Sequence, residues 1–254
     1  ETRADVVTAN RQGSAHARRL DRPIWIAAST HNGEEGVALT LQKQLLDIVE
    51  LSKTLLIIVP RHPERFDEVA ALIKESGLQM ARRSMDQVIT PQTQVYLADS
   101  MGELMHWYAL ADVALVGGSL VDIGGHNPVE PMSVGTPVLM GQYTQSCQSV
   151  VDKLASVGAL YQPQNGFYQP LALDEQSTAE STVAPLAPSS ITDTKAAISD
   201  DTELIYQHLK LWLRHPKVAK QAGQAGEKMT AQQQEVLTRQ LKMIEETIEC
   251  FVNV

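Results

Sequence analysis

The chain has 254 residues, of which 43% are hydrophobic and 20% charged, as is ordinary for one large globular domain or two small ones. Its formal net charge of -9 argues against a nucleic acid or an anionic membrane surface as the partner of the whole chain. Cys147 and Cys250 are its only cysteines, too few for a disulfide framework or a zinc motif, which favours a reducing compartment. No apolar run reaches the ~18 residues of a membrane span and no signal peptide opens the chain, so we expect it to be soluble.

Short apolar runs alternate with amphipathic segments along the first two thirds of the chain. The runs predict strands at 23–28, 54–60, 94–99, 112–118, 137–141 and 159–161. The amphipathic segments predict helices at 34–52, 64–76, 101–111, 127–135 and 146–158. Strands that alternate with helices predict a three-layer α/β domain with a parallel sheet. Six or so units are too few for the eight-fold barrel, which favours a doubly wound, Rossmann-like domain.

Two segments break this pattern. Residues 1–21 carry little apolar character and are predicted to be a linker, so that the domain spans 22–254. Residues 162–200 are rich in Ser, Thr, Pro and Gln and are predicted to form a long flexible loop. Helices follow over 201–251, with Pro216 separating the first from the second. The chain begins at Glu1 without a methionine, and we interpret it as part of something longer.

Polar residues gather in the loops that follow four of the predicted strands. These loops are "STHNGEE" (29–35), "RHPER" (61–65), "DSMGE" (99–103) and "GGSLVDIGGHNPVE" (117–130). Ligands of open α/β sheets bind in the crevice at the carboxyl ends of the strands. The sequence therefore predicts that the four loops meet at one edge and form one site.

Each motif also has a purely structural interpretation. Three pairs have the spacing of helix capping boxes: Asn32 with Glu35, Ser100 with Glu103, and Asn127 with Glu130. Gly117 and Gly118 suit a tight turn, and an arginine such as Arg61 commonly pairs with a surface carboxylate. A metal site at the three loop histidines is disfavoured, because no spacing such as H-E-x-x-H occurs; they are His31, His62 and His126.

Taken together, the motifs favour a nucleotide site. Helix N-termini offer free N–H groups to a phosphate, Arg61 offers a bidentate partner, and Glu130 offers a carboxylate to a ribose diol. The sequence has no G-x-G-x-x-G after the first strand, no G-x-x-x-x-G-K-[ST] and no D-x-D. These absences argue against a dinucleotide, a P-loop and a metal-bound diphosphate. A nucleotide sugar with a single phosphate and no bridging metal fits what is left.

The quoted loops and their flanking strands resemble a known family. "STHNGEE", "LIIVPRHPERF", "DSMGEL" and "ADVALVGGSLVDIGGHNPVEPMSVGTPVLMG" resemble, in this order, the C-terminal half of the 3-deoxy-D-manno-octulosonic acid (Kdo) transferases of Gram-negative bacteria. The resemblance covers about residues 22–161 well and the last helices loosely. It implies the C-terminal half of a GT-B fold, in which two Rossmann-like domains face each other across a cleft.

The resemblance also implies roles for particular residues. Arg61 contacts the phosphate or the sugar acid, with His62 beside it, while Asn127 and Glu130 hold phosphate and ribose. The remaining implied donor-binding residues lie at the cleft, beside the cytosine, or where the backbone approaches the nucleotide: Ser29, Thr30, His31, Met101, Gly102, Gly118, Ser119, Gly124 and Gly125. No residue of this chain is implied as catalytic, because the resemblance assigns the base to the N-terminal domain, and no metal or other cofactor is implied.

The function implied is donor binding in a glycosyltransferase of lipopolysaccharide biosynthesis. The parent enzyme moves Kdo from CMP-Kdo to a lipid A precursor at the cytoplasmic face of the inner membrane. Its N-terminal domain carries the acceptor site and the membrane association, so we expect this chain alone to bind CMP or CMP-Kdo without transferring Kdo. Two alternatives remain open at this point: a nucleotide-sugar 2-epimerase-like enzyme of the same fold, and a non-catalytic nucleotide-binding module.

Overall fold

A computed structural model describes residues 22–163 and 194–232 of the chain. The predicted linker at 1–21, most of the predicted loop at 162–200 and the predicted helix beyond 232 lie outside the described residues.

The described residues form seven strands and seven helices, numbered here in chain order. The strands are β1 (Ile24–Thr30), β2 (Leu55–Pro60), β3 (Met80–Arg82), β4 (Val95–Leu97), β5 (Val113–Val116), β6 (Val138–Leu139) and β7 (Leu160–Tyr161). The helices are α1 (Glu34–Leu46), α2 (Phe66–Glu75), α3 (Leu104–Leu110), α4 (Val129–Ser133), α5 (Gln148–Ser156), α6 (Thr194–Arg214) and α7 (216–232).

All seven strands belong to one sheet, in the order β3-β4-β2-β1-β5-β6-β7. Every neighbouring pair is parallel, as the alternation of strands and helices predicted. The chain moves outward from β1 to β2 and on to the edge strand β3, places β4 between β2 and β3, and then returns to the other side of β1 with β5. The order therefore reverses between β1 and β5, and this switch point is where open α/β sheets bind their ligands.

Each face of the sheet has its own hydrophobic core. Trp25 and Ala27 of β1 face a core that α1, α2 and α6 cover, whereas Ile24 and Ile26 face a second core covered by α3, α4 and α5. The strand residues are buried on both faces, which explains why these strands are continuous apolar runs rather than alternating ones. This burial holds the carboxyl ends of β1, β2 and β5 in register.

The C-terminal helices α6 and α7 pack against the sheet and its first core. Buried residues of α6, such as Leu209 and Trp212, pack on the first core, and α7 approaches so closely that a Cβ at Gly223 would lie 1.9 Å from the Gly135 carbonyl oxygen. The break between α6 and α7 precedes Pro216, as predicted.

None of the helices within the described part of the chain combines the length and the apolarity that a membrane span requires.

The structure differs from the sequence prediction in four main places. Helix α1 ends at Leu46, and a separate 3-10 turn follows at Val49–Leu51, whereas the sequence predicted one helix over 34–52. The three-residue strand β3 was not predicted, because its exposed edge position lets Met80 and Arg82 flank a single buried residue, Ala81. Helix α6 begins at Thr194, inside the predicted loop rather than at 201. Helix α4 is only five residues long, whereas the sequence predicted a helix over 127–135.

Gly117 follows β5 at a point where two backbones touch. Its N–H donates to the carbonyl oxygen of Ala28 at 2.8 Å, and a Cβ at this position would lie 2.4 Å from the carbonyl oxygen of Ser29. We predict that Gly117→Ala lowers the free energy of unfolding by about 1–3 kcal/mol, because backbone must move to admit the methyl group. Urea unfolding at equilibrium measures this difference.

Gly36 supplies the matched control. It lies inside α1, and a Cβ there meets nothing within 4 Å. Gly36→Ala is expected to raise the free energy of unfolding by about 0.5–1 kcal/mol, because alanine restricts the unfolded chain and favours the helix. Equal effects of the two alanine substitutions would contradict the close contact at Gly117.

Candidate functional site

The candidate site lies at the switch point, where β1 and β5 end side by side. Ala28 of β1 pairs with Val116 of β5, and each strand then runs directly into a polar loop. The loop after β2 joins them, because the Arg61 N–H donates to the Thr30 carbonyl oxygen at 3.0 Å. The structure therefore joins three of the four predicted loops at the switch point, while the fourth follows β4 farther along the same edge.

The end of β1 has an irregular backbone. Ser29 has a φ of 55°, in the left-handed region that side chains other than glycine rarely adopt, and the pairing with β2 shifts register between Ala28 and Thr30. Thr30 is buried, and its hydroxyl donates to the carboxylate of Glu35 at 2.8 Å. Ser29 and Thr30 were predicted to lie at the donor end of the cleft, and they are the last two residues of β1, at the edge of the site.

The carboxylate of Glu34 connects the loops that follow β1 and β5. Its Oε2 accepts the His31 N–H at 2.9 Å and the Gly118 N–H at 2.8 Å. Its Oε1 accepts the Ser119 N–H at 3.1 Å and the Leu120 N–H at 3.0 Å. Glu34 is 1% exposed, so four backbone donors satisfy a carboxylate that has almost no contact with solvent.

The neighbouring Glu35 is also fully buried and pairs with Arg65. The guanidinium binds it through two bonds, Nη1 to Oε1 at 2.6 Å and Nη2 to Oε2 at 3.2 Å, and contacts Glu68 as well. The hydrogen bond to Glu35 is the largest influence on the pKa of Arg65 and raises it. The predicted capping box of Asn32 with Glu35 is wrong, since α1 begins at Glu34 and the Glu35 side chain turns to Arg65.

Arg61 stands apart from the other arginines. Its side chain is exposed, and no hydrogen bond or ion pair of that side chain occurs within residues 22–163 and 194–232. Every other arginine in those ranges is held by a carboxylate or by backbone carbonyl oxygens: Arg22, Arg65, Arg82, Arg83 and Arg214. The surface ion pair considered for Arg61 is thus absent from the described residues.

Three histidines and Arg61 lie together and are called here the His–Arg cluster: His31, Arg61, His62 and His126. The Nε2 atoms of His31 and His126 are 2.7 Å apart, with the ring planes at 9° to each other. The rings of His31 and His62 are 5.3 Å apart between centroids, and His62 is half exposed. Within the described residues no three histidine, cysteine or acidic side chains are arranged to hold a metal ion.

The environment of the cluster favours the neutral forms of His31 and His126. Burial is the largest cause that lowers the pKa of His126, which falls to about 4, and the other three members of the cluster act in the same direction. Burial also lowers the pKa of His31, partly offset by the adjacent Glu34. In the absence of a ligand, the permanent charge of Arg61 is therefore the main positive charge of the cluster.

The loop from 118 to 125 folds back on itself. The Gly125 N–H donates to the Gly118 carbonyl oxygen at 2.7 Å, and the buried Ser119 hydroxyl accepts the Gly141 N–H at 3.0 Å. A Cβ on Gly124 would lie 2.3 Å from the hydroxyl oxygen of Ser146. Packing against the protein itself therefore accounts for glycine here, while the contacts to a nucleotide remain a prediction.

Asn127 and Glu130 follow the cluster directly. The Asn127 side-chain oxygen accepts the Val129 N–H at 3.0 Å, in a turn that leads into the short helix α4, whose N-cap position is Pro128. The Glu130 carboxylate makes no reciprocal bond within the described residues, and its charge lies near enough to Tyr108 to add to the burial that raises the pKa of that phenol. The predicted capping box of Asn127 with Glu130 is therefore wrong, and the Glu130 carboxylate is left for another partner.

Met101 and Gly102 lie farther along the same edge, after β4. Met101 is 68% exposed, and Gly102 has a φ of 81°. The predicted cap at Ser100 is wrong, because α3 begins at Leu104 and the Ser100 hydroxyl instead donates to the Glu103 carboxylate. That carboxylate also binds Arg83, at 3.1 Å from both Nε and Nη2. No hydrogen bond among the described residues joins this loop to the His–Arg cluster.

Sequence reasoning missed the two buried glutamates. Acidic residues in the first turn of a helix are commonly solvated and stabilised by the helix dipole, so "EE" at the start of α1 gave no reason to expect burial. His126 was considered only as a metal ligand, because its distance of 95 positions from His31 concealed their contact. Two features of the sequence were available as signals: the glycine-rich loop at 117–125 and the acidic pair at 34–35. The buried N–H groups of such a loop need acceptors, and carboxylates can supply them.

Many Rossmann-like domains bind a nucleotide at the switch point of the sheet, which is where the basic groups of this chain lie. No protein-family model matches the chain. Two curated relatives are named 3-deoxy-D-manno-octulosonic acid transferase. That from Haemophilus influenzae is 50% identical over 139 residues, covering 55% of this chain and 32% of the relative. That from Bordetella pertussis is 38% identical over 156 residues, covering 60% and 36%. The chain thus spans about a third of the length of these relatives.

One solved structure is matched by this chain over nearly the whole length of the solved chain. It is the C-terminal CMP-Kdo binding domain of WaaA from Acinetobacter baumannii, 32% identical, with a TM-score of 0.67. The match covers 87% of this chain and 97% of that one. The chain belongs to the Kdo transferase family of glycosyltransferases and has the fold of the C-terminal, Rossmann-like half of a GT-B enzyme.

The four bonds to Glu34 generate a test of the site's construction. Glu34→Ala leaves four backbone donors without their acceptor, and we predict a loss of at least about 3 kcal/mol in the free energy of unfolding. Glu34→Gln keeps one acceptor oxygen and is expected to lose less. Equilibrium unfolding in urea measures both.

Glu50 provides the control for Glu34. Its side chain is 64% exposed, and its ion pair with Arg214 is long, at 3.8 Å. Glu50→Ala should therefore change the free energy of unfolding by less than about 0.5 kcal/mol. A Glu34→Ala protein as stable as Glu50→Ala would show that the four bonds do not hold the loops.

Proposed function

We propose that this chain is the donor-binding domain of a Kdo transferase and binds CMP-Kdo at the switch point of its sheet. The solved domain that it matches at 32% identity is described as CMP-Kdo binding, and both curated relatives are named for Kdo transfer. The single observation that carries the proposal is Arg61, an exposed guanidinium without a protein partner in the described residues, beside three histidines.

The proposal gives each part of the donor a partner. Arg61 and His62 bind the phosphate or the sugar acid, Glu130 accepts hydrogen bonds from the ribose hydroxyls, and the loop with Met101 lies beside the cytosine. Asn127 contributes through the turn before α4 that its side chain holds by accepting the Val129 N–H. A dipole from α4 contributes little, because the helix has only five residues.

The loop N–H groups at 118–120 are not part of the proposed phosphate site. They already donate to Glu34, a carboxylate that a second anion would have to displace. Two anions on one set of donors repel each other strongly in a buried place. The phosphate is therefore assigned to the side of the crevice where the His–Arg cluster lies.

In the parent enzyme, a hydroxyl of the acceptor attacks the anomeric carbon of Kdo while the bond from that carbon to the CMP phosphate breaks. The leaving phosphate gains negative charge, and the guanidinium of Arg61 stabilises that charge more in the transition state than in the ground state. No residue of this chain is assigned as the base, and the proposal includes no metal, since a single phosphate carries less charge than a diphosphate.

The acceptor and the cellular location belong to the proposal for the whole enzyme. We assign the acceptor to a lipid A precursor, and the reaction to lipopolysaccharide biosynthesis at the cytoplasmic face of a Gram-negative inner membrane. Contact with the acceptor and the membrane is assigned to the N-terminal part of the relatives, since this chain matches only about a third of their length.

Arg61→Ala tests the assignment of the phosphate. We predict that affinity for CMP falls about tenfold or more, because a charge-assisted hydrogen bond contributes about 1.5–3 kcal/mol, while affinity for cytidine changes less than about twofold. Calorimetric titration measures both. Arg214→Ala, which removes a surface guanidinium at the end of α6, should bind both ligands as the unaltered chain does.

The same titration separates the proposal from its alternative. A domain that binds UDP more tightly than CMP would favour a 2-epimerase-like site. Equal losses of affinity for CMP and cytidine in Arg61→Ala would show that Arg61 does not bind the phosphate.

Glu130→Gln tests the ribose assignment. The amide keeps the size of the side chain but loses its charge, so CMP affinity should fall about tenfold while the melting temperature stays unchanged. Glu75→Gln, at the exposed end of α2, is the matched control and should alter neither quantity. A lower melting temperature with unaltered CMP affinity would reduce Glu130 to a structural role.

A further inference from the structure

The hydrogen bond between His31 and His126 limits how many protons the two rings can hold. An Nε2 to Nε2 distance of 2.7 Å requires one nitrogen to donate and the other to accept. When both rings are neutral they carry two N–H groups, of which one is used between them and one is left. A pair with one added proton keeps the bond and has two N–H groups left, whereas two added protons would put two donors face to face.

The groups around the pair keep it neutral without a ligand. His31 faces Glu34, Glu35, Arg65 and His62, and burial lowers its pKa despite the two carboxylates. His126 faces His31, Arg61 and His62, and burial together with these positive or potentially positive groups lowers its pKa to about 4. Both carboxylates are already bonded elsewhere, Glu34 to the loop N–H groups and Glu35 to Arg65.

We propose that His31 and His126 act as one unit that takes up a single proton when a phosphate binds beside Arg61. This inference rests on the proposed function and adds a ligand-binding role for His126. The phosphate supplies the negative charge that the cluster lacks, and the added proton supplies both a second positive charge and a second free N–H donor. The cluster thus changes from one permanent cation to two only when an anion is present.

The direction of the pH dependence follows from linkage. A proton taken up on binding means that the pKa of the pair is higher in the complex than in the free chain, so affinity rises as the pH falls through the value in the complex. The gain is complete below the value in the free chain. A rise of one pKa unit corresponds to about tenfold tighter binding at the acidic end.

NMR of the histidine ring signals tests the proposal on the unaltered chain. The signals are titrated from about pH 8 down through the pKa of about 4 of His126, first without ligand and then with saturating CMP, inorganic phosphate or cytidine. We expect the pair to titrate at least about one unit higher with CMP or inorganic phosphate, and unchanged with cytidine. The same midpoint with and without phosphate would overturn the proposal.

A variant separates the pair from the phosphate, whose own second ionisation lies near pH 6. His126→Gln can keep a hydrogen bond to His31 but cannot be protonated. Calorimetry of CMP binding in two buffers of different ionisation enthalpy should show less proton uptake for His126→Gln than for the unaltered chain. His215→Gln, an exposed histidine between α6 and α7, is the control and should take up as many protons as the unaltered chain.

The outcomes distinguish this inference from the proposed function. CMP binding with equal proton uptake in all three proteins would overturn the role of the pair and leave the function standing. Failure of CMP to bind at any pH would overturn the function, and the inorganic phosphate titration would then decide the pair alone: a raised midpoint supports it and an unaltered midpoint overturns it.

Discussion

The buried carboxylate of Glu34 is the interaction on which the binding edge depends. It accepts N–H groups from both loops that leave the switch point, one at His31 and three at 118–120. A carboxylate with 1% exposure is tolerated only when such donors satisfy it, and the donors in turn need an acceptor away from water. The two loops are therefore fixed relative to each other by one side chain from the first turn of α1.

This arrangement decides where positive charge is available for a ligand. Glycine-rich loops at the switch point of Rossmann-like sheets commonly cradle a phosphate with their N–H groups, but here a protein carboxylate occupies them. Glu35 likewise occupies Arg65, so two internal anions neutralise two of the anion-binding features of the edge. Arg61 and its neighbouring histidines are left, and in a chain of net charge -9 they form a local positive site.

The sequence predicted the elements of the fold far better than the contacts of the site. Continuous apolar runs such as β1 and β2 are unmistakable when buried on both faces, and the order of strands and helices sufficed to predict a parallel sheet. β3 has one buried residue and left no periodic signal. Three of the four Glu34 bonds span 84 to 86 positions, and nothing local in "NGEE" indicates that its acidic side chains turn inward. The family resemblance named Arg61, but its lack of a partner is visible only in three dimensions.

A crystal structure of this chain with CMP would show directly which donors the phosphate meets. We expect a phosphate within hydrogen-bonding distance of the Arg61 guanidinium and the neighbouring histidines, with Glu34 still bound to the N–H groups of 118–120. A phosphate seated on those N–H groups, with the Glu34 carboxylate displaced from them, would contradict this expectation.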